Sequence, residues 1–479
     1  MTGDFKVIIV GGSVAGLSLA HCLEKIGVSF VVLEKGDKIA PQLGASIGIL
    51  PNGGRILDQL GIFHSIEDEI EPLESAMIRY PDGFSFKSQY PRALHTSFGY
   101  PVSFLERQRF LQILYDKLRG KDCVFTKKRV VCIASGRDKA TAKTSDGVEY
   151  SADVVVGADG VHSIVRSEIW RHLKENSRIS ESEVPTASIK RDYSCIYGIS
   201  LKVPQIIPGI QLSCIDDGVS IHLFTGKQSK IFWFVIIKTP QTSFAKVEND
   251  DTHTARCICE GLRTKKVADT LFFEDVWSRC TIFKMTPLEE GVFKHWNYGR
   301  LACTGDAIRK MAPNIGQGAN MAIEDACSLA NLLQRKILHG PILAQDINSM
   351  FQEFSTAQRA RTESVCAQSE FLVRMHTNQG IGRRLLGRYL IPSLYDAPAG
   401  LSGFSISGAT RIEFIDLPAR SLGGAWGESW RGSWKFILQS LAYLRPKFRI
   451  VHALYLVAAL MLFYLTSLSE LPAARNDCP

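Results

Sequence analysis

The sequence predicts an α/β protein in which a Rossmann-like dinucleotide-binding domain is interwoven with an antiparallel-sheet domain and followed by a C-terminal transmembrane helix. Three observations lead to this fold class. A strand, a glycine-rich turn, a helix and a second strand follow one another within residues 6–34, and strand-like runs fill residues 175–290. Residues 450–468 are 19 consecutive residues without a formal charge. The first pattern is typical of a nucleotide-binding βαβ unit, and the last is long enough to cross a bilayer as a helix.

The N-terminal unit carries the residue types that hold a pyrophosphate. The apolar run 6–10 predicts a buried parallel strand, which leads into the turn Gly11-Gly12-Ser13-Val14-Ala15-Gly16 and then into a helix. Gly11 permits the tight turn, Gly16 lets the helix pack closely on the strand, and the helix N-terminus offers N–H groups to a phosphate. Ser13 replaces the middle glycine of the usual pattern, and its Cβ narrows the space through which a phosphate can approach the turn. Glu34 ends the unit, where a carboxylate accepts ribose hydroxyls. An ordinary βαβ turn with chance glycines is the competing interpretation.

Two later segments indicate which dinucleotide is bound. Residues 154–166 begin with a strand and continue into the turn Gly157-Ala158-Asp159-Gly160. Residues 301–307 form another that ends on Gly305-Asp306-Ala307, and Pro-x-x-Gly-Gln-Gly follows within residues 311–320. In this order the three motifs closely resemble the flavoprotein monooxygenases of the para-hydroxybenzoate hydroxylase type, over residues 5–370. The resemblance implies a Rossmann-like FAD-binding domain, with NAD(P)H as a co-substrate that visits the flavin without a binding unit of its own.

The resemblance also assigns cofactor contacts to individual residues. It implies that Asp306 holds the ribityl O3′, that Arg107 reaches the pyrophosphate and that the backbone at Gly48 approaches the flavin. The helix that opens after Gly316 would direct its N-terminus at the pyrimidine ring, where it stabilises the negative charge of reduced flavin. For Gly48, a plain glycine-rich turn is the competing interpretation. The expected FAD-binding residues are Gly11, Ser13, Gly16, Glu34, Gly48, Arg107, Asp159, Asp306, Gly316, Gly318 and Ala319.

Composition excludes several classes of protein. The chain has 479 residues, a net charge of +8 and 12 cysteines that lack the spacing of a disulfide framework. Reduced thiols are therefore expected, and no metal site is predicted. No Lys/Arg run contains interleaved aromatic residues, so nucleic acid is not an expected partner. The oligomeric state is left open.

The changes of pattern along the chain divide it into domains. We assign residues 1–75, 101–174 and 291–370 to a discontinuous FAD-binding domain, and residues 76–100 and 175–290 to a substrate domain. Residues 371–449 are assigned to a helical or interfacial extension. Strand-like alternation begins in 75–100, and the main antiparallel sheet, which covers the flavin in the resembled family, is predicted from the runs 194–201, 210–215, 219–224 and 231–237.

The candidate catalytic residues are Arg191 and Tyr193, at the entry to this sheet. Aromatic hydroxylases of the resembled type often place polar catalytic groups there. A surface arginine and a packed tyrosine are the competing interpretation. His222 is expected to be a core histidine with satisfied hydrogen bonds rather than a base.

The C-terminal apolar segment 450–468 predicts a single membrane-spanning helix. Lys447 and Arg449 precede it, and a positive flank is expected on the cytoplasmic side. The prediction is therefore a protein of the endoplasmic reticulum membrane with its catalytic domains in the cytosol. A buried C-terminal helix is the competing interpretation. Upstream, Trp426 and two further tryptophans, Trp430 and Trp434, either lie in the membrane interface or pack against the catalytic body.

Together the motifs predict an FAD-dependent monooxygenase, in which NAD(P)H reduces FAD and a flavin C4a-hydroperoxide formed with O2 transfers one oxygen atom. Hydroxylation of a phenol requires a base but epoxidation of an alkene does not, so the weak evidence for a base favours epoxidation. The N-terminal turn, the Phe-x-Glu-Arg-Gln pattern and the apolar tail are similar to those of fungal meroterpenoid and indole-diterpene epoxidases. This implies a hydrophobic prenylated substrate in secondary metabolism. A hydroxylase of an aromatic or polyketide ring is one alternative, and a membrane-bound flavoprotein interaction module that does not oxygenate is another.

Overall fold

The computed structural model of the protein describes residues 5–42, 46–176, 189–239, 252–340, 342, 344–393, 396–423 and 425–427. The strands in these residues are β1 (Lys6–Val10), β2 (Ser29–Leu33), β3 (Ser46–Ile49), β4 (Ser75–Arg79), β5 (Ser85–Ser88), β6 (Ser103–Glu106), β7 (Val124–Phe125), β8 (Val130–Ser135), β9 (Ala140–Thr144), β10 (Glu149–Ala152), β11 (Val154–Gly157), β12 (Lys190–Ser200), β13 (Ile210–Asp216), β14 (Val219–Thr225), β15 (Ile231–Lys238), β16 (Lys266–Ala268), β17 (Leu271–Phe272), β18 (Cys280–Val292), β19 (Asn297–Tyr298), β20 (Leu301–Cys303) and β21 (Arg309–Lys310).

The α-helices in the same residues are α1 (Val14–Ile26), α2 (Pro51–Gln59), α3 (Phe63–Glu67), α4 (Tyr90–Phe98), α5 (Arg107–Lys117), α6 (Ile164–Glu175), α7 (Thr252–Gly261), α8 (Phe273–Trp277), α9 (Gln317–Leu338), α10 (Ala344–His376), α11 (Ile381–Leu385) and α12 (Ala397–Ile406).

A mostly parallel sheet forms the expected cofactor-binding side of the protein. In the described chain its six strands have the order β19-β20-β11-β1-β2-β7, and only β19 runs antiparallel to its neighbour. Residues 7–10 of β1 are at most 4% exposed, as expected for a strand that is covered on both faces. Because the carboxyl ends of parallel strands lie at one edge of a sheet, the turns after β1, β11 and β20 meet at that edge.

A second sheet has eight strands within the described residues, in the order β21-β18-β12-β15-β14-β13-β4-β5. Neighbouring strands in this sheet are antiparallel, except that β13 and β4 are parallel. The four strand runs predicted between residues 194 and 237 correspond to β12, β13, β14 and β15. β4 and β5 join this sheet from an earlier part of the chain, and the boundaries predicted for the two domains stay a prediction.

The eight-stranded sheet has two different faces, because alternate residues of a strand point to opposite sides. One face packs against α7 and α8 in a cluster that includes Leu223, Trp233 and Phe273. The opposite face, which we call the inner face, packs towards β3 and β6. Two rows of directly paired residues cross the inner face: Gln211, Phe224, Phe232, Ile199 and Ile282 in one, and Ser213, His222, Phe234, Tyr197 and Lys284 in the other.

Residues 90–98 form helix α4, where the sequence predicts strand-like alternation. Pro91 lies in the first turn of α4, and Gly99 ends the helix with a φ of +78°. Proline near the start and glycine just past the end are favourable at those positions, since proline lacks an N–H and glycine adopts positive φ without strain. α4 packs against β4 and α12, so it covers the sheet beside β4, one strand in from the edge strand β5.

No helix in the described part of the chain is long and apolar enough to cross a membrane. Its longest helices, α9 with 22 residues and α10 with 33, are both amphipathic, and α9 carries Glu324 and Asp325 in its interior. The predicted spanning segment 450–468 lies outside the described residues. The predictions of a transmembrane helix in the fold and of a single-pass membrane localisation are therefore corrected: the fold that the structure supports is the α/β fold alone.

The segment after α12, residues 407–423 with 425–427, lies along the FAD-binding side and is held by polar side chains. Gln59 Nε2 donates to the carbonyl oxygens of Ile412 and Ile415, both at 2.8 Å. The Arg55 guanidinium lies 3.6 Å from the ring centre of Trp426, and Trp426 packs edge-on against Phe98 at 4.9 Å between ring centres. Trp426 thus packs against the catalytic body, whereas Trp430 and Trp434 lie outside the described residues.

Candidate active site

Two close backbone approaches shape the glycine turn after β1. Gly11 has a φ of +106°, which L side chains rarely adopt, and a Cβ there would lie 2.5 Å from the carbonyl oxygen of Ala158. A Cβ on Gly16 would overlap the carbonyl oxygen of Gly11 and lie 3.1 Å from its carbon. Both positions therefore require glycine, because the turn packs directly against the backbone of Ala158 and of α1.

The N-terminus of α1 is not capped by a side chain. Ser13 is the N-cap residue, but it makes no side-chain capping hydrogen bond. Its Oγ instead accepts a hydrogen bond from Arg107 Nη2 at 2.7 Å. The first N–H groups of a helix have no partner within the helix, so those of α1 are available to an anion. Ser13, at the position of the usual middle glycine, thus connects the turn to Arg107 by a hydrogen bond.

Glu34 is fixed at the end of β2 by backbone donors. Gly12 N donates to Glu34 Oε2 at 2.8 Å, and Gly36 N donates to Oε1 at 2.7 Å. A carboxylate has about four acceptor positions, so both oxygens can still accept hydrogen bonds from ribose hydroxyls.

Arg107 begins α5 and enters the same space. Its Nη1 is buried and has no hydrogen-bond partner among the described residues. Burial lowers the pKa of Arg107, while nearby Tyr197, Asp306 and Glu34 act to raise it. Ser13, Glu34 and Asp306 thus lie close to Arg107. The Nη1 group of Arg107 is available to donate a hydrogen bond to a ligand.

The turn after β11 holds a second buried group without a full set of partners. Asp159 Oδ2 accepts from the backbone N–H groups of Ile164 at 2.7 Å and Val165 at 3.3 Å. Asp159 Oδ1 is buried and has no partner in the described part of the chain. Burial raises the pKa of Asp159, and the hydrogen bonds from Ser163 and the backbone oppose this.

The turn after β20 presents Asp306 from the third strand end. The Asp306 side chain is 51% exposed and lies 3.3 Å from Lys310 Nζ. The turn is held by Asp325, whose Oδ2 accepts from Gly305 N at 2.8 Å and from Arg309 Nη2 at 2.7 Å. Asp325 and Arg309 are both buried, and truncating one would leave the other charge uncompensated. These two residues position Asp306, and the sequence analysis did not identify them.

Asn320 joins the two glycine-containing segments that are expected to face the flavin ring. Its Nδ2 donates to the carbonyl oxygens of Gly48 at 2.9 Å and Gly316 at 2.7 Å, and its Oδ1 accepts from Leu50 N at 3.1 Å. A Cβ on Gly318 would meet nothing within 4 Å, so the start of α9 borders open space. Ala319, next along α9, is half-buried.

A second group of hydrogen-bonded side chains joins α9 to α2 and α10. Asn52 Nδ2 donates to Gln317 Oε1 at 2.8 Å and to Glu324 Oε1 at 2.7 Å. Arg361 Nε and Nη2 donate to the Glu324 carboxylate at 2.5 and 2.7 Å. None of the sequence motifs indicates this group either. Its signal is the recurrence of polar residues four apart, at Asn320 and Glu324, in a helix whose polar residues include several that are buried.

An aromatic wall lies beside these segments. We use this name for Phe104, Phe224 and Phe234. Phe104 is the neighbour that a Cβ on Gly48 would meet, at 3.1 Å. Phe104 stacks on Phe224 with ring centres 4.0 Å apart, and Phe224 meets Phe234 edge-on at 5.9 Å. The wall therefore leads from Gly48 onto the inner face of the eight-stranded sheet.

Arg191 and Tyr193 lie on β12 of the eight-stranded sheet, next to β18. The Arg191 side chain is 55% exposed and forms an ion pair with Glu289 at 2.5 Å. Tyr193 is 2% exposed, accepts from Thr377 Oγ1 at 3.4 Å and packs in a cluster with Ala312. The structure thus places Tyr193 near the segment that precedes Gly316, and Arg191 in a surface ion pair. Their catalytic role stays a prediction.

The described residues fit FAD. Arg107 Nη1 and Asp159 Oδ1 are buried polar atoms that lack partners among the described residues, and Arg107 Nη2 bonds to Ser13 in the glycine turn. The N-termini of α1 and α9 have no side-chain cap. These are the donors and acceptors that a pyrophosphate, ribityl hydroxyls and a flavin ring require. Fold and site together define a flavoprotein of the dinucleotide-binding class.

Comparison with known proteins identifies the family. The family model described as FAD binding domain matches residues 4–340, and the chain belongs to this family. It is 88% identical over 470 residues to the FAD-dependent monooxygenase ltmM of Epichloe festucae (strain Fl1), covering 98% of this chain and 100% of the relative. It is 63% identical over 477 residues to the FAD-dependent monooxygenase idtM of Claviceps paspali, covering 99% of this chain and 96% of the relative.

Among solved structures, Klebsiella pneumoniae HpxO complexed with FAD and uric acid superposes with a TM-score of 0.69. The two share 20% sequence identity, over 85% of this chain and 97% of HpxO. At that identity the likeness shows the fold alone.

The predictions of an FAD-dependent monooxygenase that acts on a small molecule, with FAD as cofactor and NAD(P)H as co-substrate, are confirmed.

Proposed function

We propose that the protein epoxidises an alkene in the prenyl chain of an aromatic substrate, in the biosynthesis of a fungal meroterpenoid or related terpenoid secondary metabolite. The observation that carries this proposal is the aromatic wall beside Gly48. Phenylalanine faces make favourable contacts with the C=C bonds and methyl groups of an isoprenoid chain and exclude water from it.

The chemistry of the wall favours epoxidation over hydroxylation of a ring. FAD, when bound, supplies the reduction of O2 and the electrophilic oxygen atom. The side chains of the aromatic wall contain no ionisable group, and neither does Leu50, which lies 3.0 Å from the position of a Cβ on Gly316. An alkene accepts oxygen without losing a proton, whereas a phenol is activated by a base. The wall therefore suits a substrate that needs to be oriented and kept dry.

A pair of probes tests the proposal. The FAD-loaded enzyme would be given NAD(P)H and an indole or phenol bearing a geranylgeranyl chain, or the same compound with a fully hydrogenated chain. We expect the alkene to stimulate NAD(P)H oxidation and to gain one oxygen on the chain, located by mass spectrometry and NMR. The hydrogenated probe should gain none. Oxygen found on the aromatic ring, or equal oxidation of both probes, would overturn the proposal.

Substitutions of two matched phenylalanines distinguish a role of the aromatic wall in substrate binding from a general effect on folding. Phe234 lies half-buried on the inner face, and Phe283 lies half-buried on the opposite face of the same sheet. Phe234→Asn should raise KM for the alkene probe at least about tenfold, because an amide would replace apolar contact surface. Phe283→Asn should leave KM unchanged. Equal effects of the two variants on KM would contradict the role of the wall.

A further inference from the structure

A chain of hydrogen-bonded side chains crosses the inner face beside the aromatic wall. Tyr90 Oη, on α4, donates to Gln211 Oε1 at 2.5 Å, and Gln211 Nε2 donates to Ser213 Oγ at 3.0 Å. Ser213 Oγ lies 3.0 Å from His222 Nδ1, and His222 Nε2 lies 3.0 Å from Ser220 Oγ. His222 therefore has a partner at each ring nitrogen, as the sequence analysis expects of a core histidine. The five side chains form one continuous path, which we call the polar chain.

The Gln211 amide sets the direction of the protons in the polar chain. Its carbonyl accepts from Tyr90 and its NH2 group donates to Ser213, which leaves the proton of Ser213 free to donate to His222 Nδ1. Burial, reinforced by nearby His376, lowers the pKa of His222 well below 6.5. The ring is therefore neutral, and in the tautomer that accepts the Ser213 proton at Nδ1, Nε2 donates to Ser220. Every donor in the polar chain points away from Tyr90.

This order leaves the oxygen of Tyr90 as a hydrogen-bond acceptor. Its proton is engaged with Gln211, and burial raises the pKa of the phenol, so the group stays neutral. Tyr90 retains accessible surface and packs against the apolar cluster that contains Phe104 and Phe224. It therefore borders the same region as the aromatic wall.

The geometry points to Tyr90 as a specificity-determining residue that accepts a hydrogen bond from an N–H or O–H group on the aromatic part of the substrate. Gln211, Ser213 and His222 are positioning residues, because they hold the Tyr90 proton away from the substrate. This inference rests on the proposed function, since it requires that the substrate occupy the inner face. It extends that function by stating which polar feature the substrate must present.

Binding of methylated probes tests the inference without requiring turnover. The probes are the geranylgeranyl-substituted indole with a free N–H and its N-methyl form, and the corresponding phenol and methyl ether. Dissociation constants would be obtained from the change in flavin absorbance of the full-length holoenzyme. We expect the wild type to bind each free form about tenfold more tightly than its methylated form. Tyr90→Phe should abolish this preference by weakening binding of the free forms alone.

Two controls distinguish recognition from a structural effect. Tyr100→Phe removes the hydroxyl of another buried tyrosine, which donates to Asp58 at 2.9 Å, and should keep the tenfold preference. Ser213→Ala breaks the polar chain and frees the Gln211 amide to turn its NH2 group towards Tyr90, so the preference should shrink. Ser194→Ala, which removes a buried hydroxyl on the same sheet, should keep it.

The outcomes separate this inference from the proposed function. A wild type with no preference, or a Tyr90→Phe variant that keeps it, overturns the role of Tyr90. A Ser213→Ala variant with the full preference overturns the positioning role of the polar chain. A preserved preference without oxygen on the prenyl chain contradicts the proposed function and leaves the recognition by Tyr90 supported.

Discussion

Gly16→Ala is the substitution whose effect follows most directly from the backbone. The added Cβ would overlap the carbonyl oxygen of Gly11 and lie 3.1 Å from its carbon and 3.2 Å from Ile9 Cγ2. The first two atoms belong to the backbone of the turn, so they cannot move aside as a flexible side chain would. The N-terminus of α1 must instead shift away from β1 by about 1.5 Å to restore ordinary van der Waals separation.

The shift costs stability and cofactor affinity at the same time. Overpacking of a well-packed interior costs about 1–3 kcal/mol, and a clash between backbone atoms belongs at the upper end of that range. A displacement of about 1.5 Å also stretches hydrogen bonds from α1 to a pyrophosphate beyond effective length. With each such bond contributing about 1 kcal/mol, loss of two weakens FAD binding by more than about tenfold.

Flavin content and FAD titration measure the effect. Gly16→Ala should purify with little flavin and show a raised dissociation constant for FAD together with a lower unfolding temperature. Gly403→Ala is the control, because its Cβ would lie 3.8 Å from the nearest atom and alanine is favourable within α12. A Gly16→Ala protein with the flavin content and FAD affinity of the wild type would refute the assignment of this turn to the pyrophosphate.

Three further predictions concern the cofactor site and pH. Ser13→Gly should retain FAD, whereas Ser13→Val should exclude it by steric conflict, and equal flavin content in the two variants would show that no phosphate lies over the turn. Asp306→Ala should weaken FAD binding about ten- to a hundredfold in a titration, because a charged hydrogen bond contributes about 1.5–3 kcal/mol; an unchanged affinity would remove Asp306 from the site. Burial lowers the pKa of His376 from 6.5 to about 4 and lowers that of His222 well below 6.5, so the folded state binds fewer protons than the unfolded chain below pH 6.5. The stability contributed by the neutral rings is present above pH 6.5 and is lost as the pH falls, by up to about 1.4 kcal/mol per pH unit for each ring, and urea unfolding of His376→Phe should show a flatter dependence than the wild type.

The parts of the site that depend on local backbone geometry could be predicted from the sequence. Gly11 and Gly16 meet within one turn, and Glu34 reaches back across a single βαβ unit, so their spacing along the chain determines their spacing in the fold. Arg107 and Gly48 were assigned by family resemblance, and the structure brings them to the site through the paired strands β3 and β6.

The long-range contacts could not be predicted in the same way. Asn320 bonds to Gly48 across 272 positions of sequence, and Gln211 bonds to Tyr90 across 121. Strand alternation predicts that Ser213 and His222 each face one side of a strand, but only the register of β13 with β14 places them opposite each other. The sequence signal for α4, proline at its start and glycine after its end, was present but was outweighed by strand-like alternation.

The apolar tail shows a different limit of prediction from sequence. Hydropathy over residues 450–468 predicted a membrane-spanning helix, and no helix in the described part of the structure has that length and apolarity. The upstream segment, by contrast, is explained by its contacts, since Trp426 packs on Arg55 and Phe98.

The origin and destination of the transferred oxygen atom test the central claim most directly. The FAD-loaded enzyme would be incubated with NAD(P)H, the geranylgeranyl-substituted probe and O2 enriched in the heavy oxygen isotope, and the product would be fragmented in a mass spectrometer. We predict a product that has gained one labelled oxygen atom, carried by the prenyl fragment as an epoxide or as the diol formed from it. A product with label on the aromatic fragment, or with oxygen from water alone, would contradict the account.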